Sequence, residues 1–496
     1  MPTEATERLL LGLILVGLGL AVAGGIVVVS AVSVVLLPVP FALLAAAAVA
    51  FVALHEPKWA LLLALSTLPF ERMMTLFPVE GDAQQGFLNT LTVAKVMLAV
   101  IIPVWLLRVL VLKDGSVLTR TFATPIPAVA MMFAFYTTIS AVNAVSMGNY
   151  IKNQSTIVSN VVLFLVVLNV LDDKRWALRT IWVLFVPYVI VGFIGIFEIY
   201  TQAHILELMG RTMPEEAFVL YGGAFRPAGP SGDPDYFATS VLFGLMLTLA
   251  VWRFVKSRWM WVAFVVLIGI FMVDIFGTVS RGAMLAFLAG IAVFWWFLEM
   301  PYKRAVAVLA IVGGLSGFAL YSTLVSARAA SRYSGGETKS LEYRLGWQQQ
   351  LFGMIEANPI FGVGTGNSLP NQHRFFDPRP PRKPENSANT YLQLAAEAGI
   401  PSLALYVGFF GLVLLYLVKV ILRADDPEIR HLATCLLSAL SAFFVFAGTA
   451  HALYNEVTWT LLGLSVALGQ AARDPREAPG IAPAMAGVRA RSAVRH

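Results

Sequence analysis

Apolar runs of about twenty residues recur along the whole chain, and no other feature constrains its fold as tightly. A helix needs about 20 residues to cross roughly 30 Å of hydrocarbon, and only helices or closed barrels satisfy their backbone groups within lipid. About fourteen runs of that kind can be placed, near 9–30, 33–54, 58–76, 90–112, 124–146, 154–171, 176–200, 236–252, 259–279, 282–299, 305–325, 390–418, 431–449 and 454–471. The third is the weakest: Glu71 and Arg72 interrupt it and it contains Pro69, so it suits a half-span. The 496 residues are 58% hydrophobic and 13% charged, which excludes an ordinary soluble globule. The first run has the length of a full span and no short apolar core ending in small residues, so no cleavable signal is expected. The single cysteine, Cys435, lies inside an apolar run, so neither an intramolecular disulfide nor a CxxC motif can form.

Charge then orients the spans. The net charge of +6 matters less than its placement. "RVLVLKDGSVLTR" (108–120), "DDKRWALR" (172–179), "RFVKSR" (253–258), "MPYKR" (300–304) and "KVILRADDPEIR" (419–430) are basic and alternate with segments poor in Lys and Arg. By the positive-inside rule these segments, and both termini, face the cytoplasm. The basic clusters read as topology determinants and anionic-lipid contacts, with no nucleic-acid partner implied. The expected fold is all-α: a polytopic membrane protein with about 14 transmembrane helices (12–14) and a long periplasmic loop carrying a surface helix. Its expected organisation is N-terminal transmembrane helices over 1–200, a first periplasmic loop over 201–235, transmembrane helices over 236–325, a large periplasmic loop over 326–388, C-terminal transmembrane helices over 389–472, and a disordered cytoplasmic tail over 473–496.

The large loop has internal order. "SLEYRLGWQQQLFGMIEANP" (340–359) places Leu341, Leu345, Leu351, Phe352 and Ile355 at helical spacing and stops at Asn358-Pro359, as an amphipathic helix on the bilayer surface would. "FGVGTGN" (361–367) follows as a tight backbone bend; it is neither a dinucleotide fingerprint, lacking a preceding strand, nor a phosphate loop, lacking GK[ST]. "DPRPPRKPE" (377–385) is a stiff basic loop, and no internal repeat is visible.

Three arginines fall beside apolar runs on the non-cytoplasmic side: Arg226 in "GGAFRPAGPSGDPDYFA", Arg281 in "GTVSRGAML", and Arg344 on the surface helix. Each alone is open to interfacial snorkelling or charge balance. Three on one face favour an anionic lipid-linked ligand, because the guanidinium fork matches phosphate oxygens. "GDPD" (232–235) spells Asp-x-Asp, a metal-holding arrangement in sugar-nucleotide enzymes, but a turn into the eighth span is the stronger reading. Of six histidines only His204, His373 and His451 fall on this side, too few for a His-rich metal site, and no metal or other cofactor is expected. His373 is as a lone loop histidine more often is, solvated. No Gly-x-Ser-x-Gly elbow supports serine nucleophile chemistry.

Four stretches, in order, resemble the O-antigen ligase and O-antigen polymerase superfamily of bacterial envelope glycosyltransferases: "FRPAGPSGDPDYFA" (225–238), "TVSRGAMLAFLAG" (278–290), "EYRLGWQQQLFGMIEANPIFGVGTGN" (342–367) and "ENSANTYLQLAAEAGIPS" (385–402). Within the first, Asp235 stands where the family usually has Asn. The resemblance implies a metal-independent, inverting transfer of a glycan from undecaprenyl pyrophosphate to the hydroxyl of an acceptor glycan or lipid. It also implies that Arg226, Arg281 and Arg344 hold the pyrophosphate. The candidate catalytic positions it implies centre on Ala388 and Asn389. Asn389 and Gly399 keep the family's spacing, but Ala388 replaces a histidine that is the family's candidate general base or acceptor-positioning residue, and alanine can do neither. Three explanations compete: Glu385 or His373 takes the role, a good leaving group removes the need for a base, or the chain is inactive or altered, which a single change in an intact frame favours. Glu397 reads as structural, with pairing to an arginine as the alternative.

The expected function is a polysaccharide polymerase for O-antigen, capsule or exopolysaccharide. Ligation to a lipid acceptor is the nearest alternative. A polysaccharide or lipid transporter would show related halves with interrupted helices, which the sequence does not display, and a non-catalytic envelope assembly scaffold draws its support from Ala388.

Overall fold

Caps write the helix boundaries of this chain. The computed structural model describes residues 51–53, 55–70, 73, 92–112, 115–171, 173–210, 225–298, 303, 336–375 and 389–472. Its main helices are α1 (Pro57–Thr67), α2 (Val93–Leu112), α3 (Ile126–Ile139), α4 (Met147–Val170), α5 (Lys174–Thr201), α6 (Pro234–Val251), α7 (Arg258–Gly277), α8 (Arg281–Phe297), α9 (Gly336–Ala357), α10 (Thr390–Arg423), α11 (Pro427–Ala447) and α12 (Glu456–Ala471). Helices α4 to α8 and α10 to α12 each start behind a Ser, Asp or Asn whose side chain accepts from a first-turn N–H: Ser146, Asp173, Asp233, Ser257, Ser280, Asn389, Asp426 and Asn455. Such caps satisfy donors that neither lipid nor the helix itself can.

Among the described residues seven helical segments are long and apolar enough to cross a membrane: Ile126–Asn143, Met147–Val170, Lys174–Thr201, Pro234–Phe254, Arg258–Gly277, Thr390–Arg423 and Pro427–Ala447. Val93–Leu107 and Arg281–Phe297 are shorter apolar helices. The chain is thus an all-helical polytopic membrane protein. Of the run expected at 58–76, residues up to Phe70 form the 11-residue α1 and one 3-10 turn containing Pro69, by themselves too short to cross, and residues 71, 72 and 74–76 lie outside the described residues. The runs at 9–30 and 305–325, most of that at 33–54, and the tail at 473–496 lie outside the described residues.

Helix α12 is the centre of the bundle. Nearly all of its side chains are buried, which is what a helix apolar on every side requires. It packs against α4, α10 and α11, with the Trp459 ring stacked on Phe409 at 5.5 Å. Helices α8 and α11 approach closely through small residues, where Gly290 meets Ala442 and the Ser438 hydroxyl donates to the Gly290 carbonyl.

The helices run up and down, so their connections sort to two ends. At one end Lys174 bridges Asp426 and Glu428, and the Arg120 carbonyl accepts from Gln470. The basic segments 172–179, 253–258 and 419–430 gather there. At the other end lie residues 140–146, 202–210, 225–233, 278–280 and 448–455, together with the starts of α6, α8, α10 and α12.

Helix α10 is broken just inside that second end. Gly399 adopts φ 85° and ψ 164°, leaving a short piece, residues 390–398, set off from the long remainder. The break lets the Ile400 N–H reach the Pro359 carbonyl at 2.8 Å, and it brings Gly399 so close to residue 360 that a Cβ would overlap the Ile360 carbonyl. The expected surface helix exists as α9, and its Leu351 and Met354 bury against Ala396 and Val363 while Phe352 stays exposed. Burying each of those two side chains is worth about 1.5–3 kcal/mol. Gly399→Ala combines a left-handed φ with overlap and is expected to destabilise the fold by about 2–3 kcal/mol, read as a lowered thermal unfolding midpoint in detergent.

Candidate functional site

Four connections meet at the second end. The first carries Arg226. Glu198, at the end of α5 and fully buried, accepts from Ile205 N (2.8 Å), Ala228 N (2.8 Å) and Gly229 N (2.9 Å), so one carboxylate pins both sides of the loop. Thus held, the Arg226 guanidinium donates through Nε to the Thr278 carbonyl at 2.6 Å and through Nη2 to Asp235 Oδ1 at 3.2 Å. Asp233 spends its carboxylate on Asp235 N and Tyr236 N, capping α6. "GDPD" is therefore a turn and a cap, the stronger of its two sequence readings.

The second connection is "TVSR". Val279, a β-branched residue, sits at φ 54°. That conformation costs about 1–3 kcal/mol for a side chain of this shape, and it delivers Ser280 as the cap of α8 and Arg281 as its first residue. The Arg281 side chain is exposed and has no hydrogen-bond or ion-pair partner among the described residues. It lies three residues from the carbonyl that Arg226 grips.

The third connection is the bend after α9. Gly362, Gly364 and Gly366 take φ of 66°, 99° and 73°, so "FGVGTGN" is the expected tight bend. Val363 N and Gly364 N donate to the carbonyls of Ala396 and Glu397, and Asn367 locks the bend to Ser146 through Ser146 N at 2.6 Å. The Glu397 carboxylate, also buried, accepts from Gly366 N (2.8 Å), Ser368 Oγ (2.6 Å) and Gln393 Nε2 (3.0 Å). Its structural reading holds: it ties the bend to the broken piece of α10.

The fourth connection, Gly448–Asn455, joins the others. The Thr390 hydroxyl donates to the Ala450 carbonyl at 2.6 Å and accepts from Ala452 N at 2.8 Å, while Thr390 N donates to the same Ala450 carbonyl. On its other side Thr449 lies against Gly282, where a Cβ would overlap the threonine hydroxyl. Between these clamps sits His451, partly exposed, its ring 5.1 Å from that of Tyr454. His451 Nδ1 and the Tyr454 hydroxyl are both buried without a hydrogen-bond partner among the described residues. Burial pushes the His451 imidazole down to about 4, and burial with Glu397 and Tyr236 nearby pushes the Tyr454 hydroxyl well above its ordinary value. The imidazole is neutral at pH 7.

Arg226 and Arg281 are thus brought together. Arg344 lies on α9 and His373 in the 3-10 turn Gln372–Arg374. Glu385 and Ala388 lie outside the described residues. Asn389 Oδ1 accepts from Tyr391 N (3.0 Å) and Leu392 N (3.1 Å), so its side chain caps α10. The sequence groups His451 with Arg226 and Arg281, and the structure puts it at their end of the bundle, but it carries no sequence signal of a role, because it ends an apolar run and belongs to no motif. The strain at Val279 and the clamp by Glu198 left no sequence signal beyond a buried acidic residue within a span.

Residues 270–407 match the model of the O-antigen ligase family. That range contains Arg281, Arg344, His373, Glu385, Ala388, Asn389 and Glu397, and it excludes Arg226 and His451. A Salmonella typhimurium (strain LT2) protein named O-antigen ligase is 27% identical over 221 residues, which cover 43% of this chain and 54% of that protein. The chain spans about half the length of this curated relative.

Glu198→Gln keeps the side chain's size but turns an amide donor toward backbone N–H groups. The expected cost is about 1–3 kcal/mol, with amide hydrogen exchange accelerated at Ile205 or at Ala228 and Gly229.

Proposed function

We propose that this chain, which carries an O-antigen ligase family domain over residues 270–407, transfers a glycan from undecaprenyl pyrophosphate to an acceptor hydroxyl at the periplasmic face of the bacterial inner membrane. The observation that carries the reading is Arg281: an exposed guanidinium with no partner among the described residues, set on a strained turn that Arg226 also grips. A residue held at such cost while its charge stays unspent is suited to an anionic ligand. Helices α6, α8, α10 and α12 all begin at this end, so their positive dipole ends add to the same field. The gathering of basic connections at the opposite end supports a periplasmic position for the site.

In this reaction the bond from the anomeric carbon to the pyrophosphate oxygen breaks, and negative charge grows on the leaving oxygens. Guanidinium donors already fixed beside a dry interior stabilise that charge without reorganising. Arg281 binds the pyrophosphate directly. Arg226, partly engaged by Asp235 and Thr278, contributes from the edge, and Arg344, a residue of α9, is the third arginine assigned to the pyrophosphate. The guanidinium groups supply the positive charge that a metal would otherwise bring, and a single displacement inverts the anomeric centre.

Polymerisation of lipid-linked repeat units is the first reading, supported by the basic proline-rich stretch at 377–385, which suits a long glycan. Ligation to a lipid acceptor is the second, favoured by the name of the Salmonella relative. The two differ in product: a ladder of repeat lengths against a single transfer.

Arg281→Ala is expected to lower undecaprenyl pyrophosphate release by about 10²–10³-fold while leaving the thermal midpoint unchanged, because this exposed side chain has no hydrogen-bond or ion-pair partner among the described residues. Activity within 2-fold of the parent, which is about 0.4 kcal/mol, would sink the pyrophosphate role of Arg281. Release in EDTA is expected to equal release in magnesium.

A further inference from the structure

We infer that His451, with Tyr454, binds the acceptor hydroxyl and takes its proton, doing the work of the imidazole that position 388 lacks. The inference rests on the transfer reaction proposed above and adds to it a catalytic group from outside the matched family segment.

Position carries the first part of the argument. Thr390 is hydrogen-bonded to Ala450 and Ala452, the two residues that flank His451. His451 is therefore fixed beside the start of α10, and position 388 precedes the cap of that helix by a single residue. An imidazole on the 448–455 connection is thus held at the start of α10. The same connection touches Gly282, next in sequence to Arg281, so acceptor and pyrophosphate groups are held by one clamp.

Chemistry carries the second part. A sugar hydroxyl is at once a donor and an acceptor. His451 Nδ1 and the Tyr454 hydroxyl, both buried and without a partner among the described residues, match it: the phenol donates to the hydroxyl oxygen and the neutral imidazole accepts its hydrogen. Buried polar atoms left unpaired in a native fold call for an explanation, and a hydroxyl ligand supplies one for two side chains whose rings lie 5.1 Å apart. Tyr454 lies near enough to Glu397 of α10 and Tyr236 of α6 for their charges to act on its hydroxyl.

The step balances simply. The acceptor oxygen bonds the anomeric carbon as the bond from that carbon to the pyrophosphate oxygen breaks, and the bonding pair leaves on the pyrophosphate. The hydroxyl proton passes to the imidazole and then to water or the departing phosphate. A pyrophosphate bound at Arg281 favours the protonated ring at the moment it forms.

The test uses the full chain in nanodiscs, with lipid-pyrophosphate-linked oligosaccharide isolated from the source cells, following undecaprenyl pyrophosphate release and donor binding separately. His451→Ala is expected to lower release about 10²-fold with donor affinity and thermal midpoint retained. Tyr454→Phe is expected to lower it about 10-fold, a single lost hydrogen bond. His451→Ala combined with Ala388→His is expected to recover at least a tenth of parental release. Release by His451→Ala within 2-fold of the parent overturns the inference. So does a silent parent that Ala388→His switches on, which leaves the transfer reaction standing. Silence of both the parent and Ala388→His with a donor that binds overturns the transfer reaction itself.

Discussion

A carboxylate in an apolar interior is costly unless donors surround it, and backbone N–H groups are the donors a loop can always offer. This chain uses that constraint twice at the same end. Glu198 gathers Ile205, Ala228 and Gly229, and Glu397 gathers Gly366 with Ser368 and Gln393. Removing either acid would leave buried donors unpaired, so each glutamate dictates the path of the loop above it. The loop that Glu198 holds carries Arg226, and the bend that Glu397 holds seats α9 on the broken piece of α10. Two irregular segments thereby acquire the rigidity of the helices beneath them, which a site built on loops requires.

The fold was legible wherever apolar length alone decided it. Most boundaries of the described helices from 124 to 299 and from 390 to 471 fall within about five residues of those read from the sequence, because capping residues sit where hydropathy changes, whereas α4 starts seven residues before the apolar run at 154 and α3 ends seven before 146. α1 was harder, since its brevity depends on Pro69 and on the charges that follow it. The break in α10 was not legible at all: Gly399 is surrounded by good helix formers, and only the approach of Ile360 explains its left-handed φ.

The site was legible in part, and for a physical reason. Arginines beside hydrocarbon announce themselves because their cost is local, and Arg226 and Arg281 do come together. The motif residues around them have two employments that sequence cannot separate. Asn389 keeps a family frame, yet its side chain is spent on capping α10; Glu397 could have paired with an arginine, yet it is spent on the bend. His451 shows the converse. It belongs to no motif, and it matters only because Thr390 and Gly282 clamp the connection that carries it, contacts that link segments about 60 and more than 160 residues apart in sequence.

Asp235 gives the two arginines unequal parts. In the resembling family an asparagine usually stands there, and an amide would leave the neighbouring guanidinium its full charge. Here Asp235 Oδ1 meets Arg226 Nη2 at 3.2 Å, and the Thr278 carbonyl takes Nε. An anion approaching Arg226 must compete with a carboxylate already in place, whereas Arg281 has no such competitor among the described residues. The ion pair therefore shifts Arg226 from ligand toward brace: it fixes the carbonyl end of α7 and, through it, the strained turn that aims Arg281. With Arg226 braced and the charge of Arg281 unpaired among the described residues, the start of α8, beside the connection that carries His451, is where an anion meets the least competition.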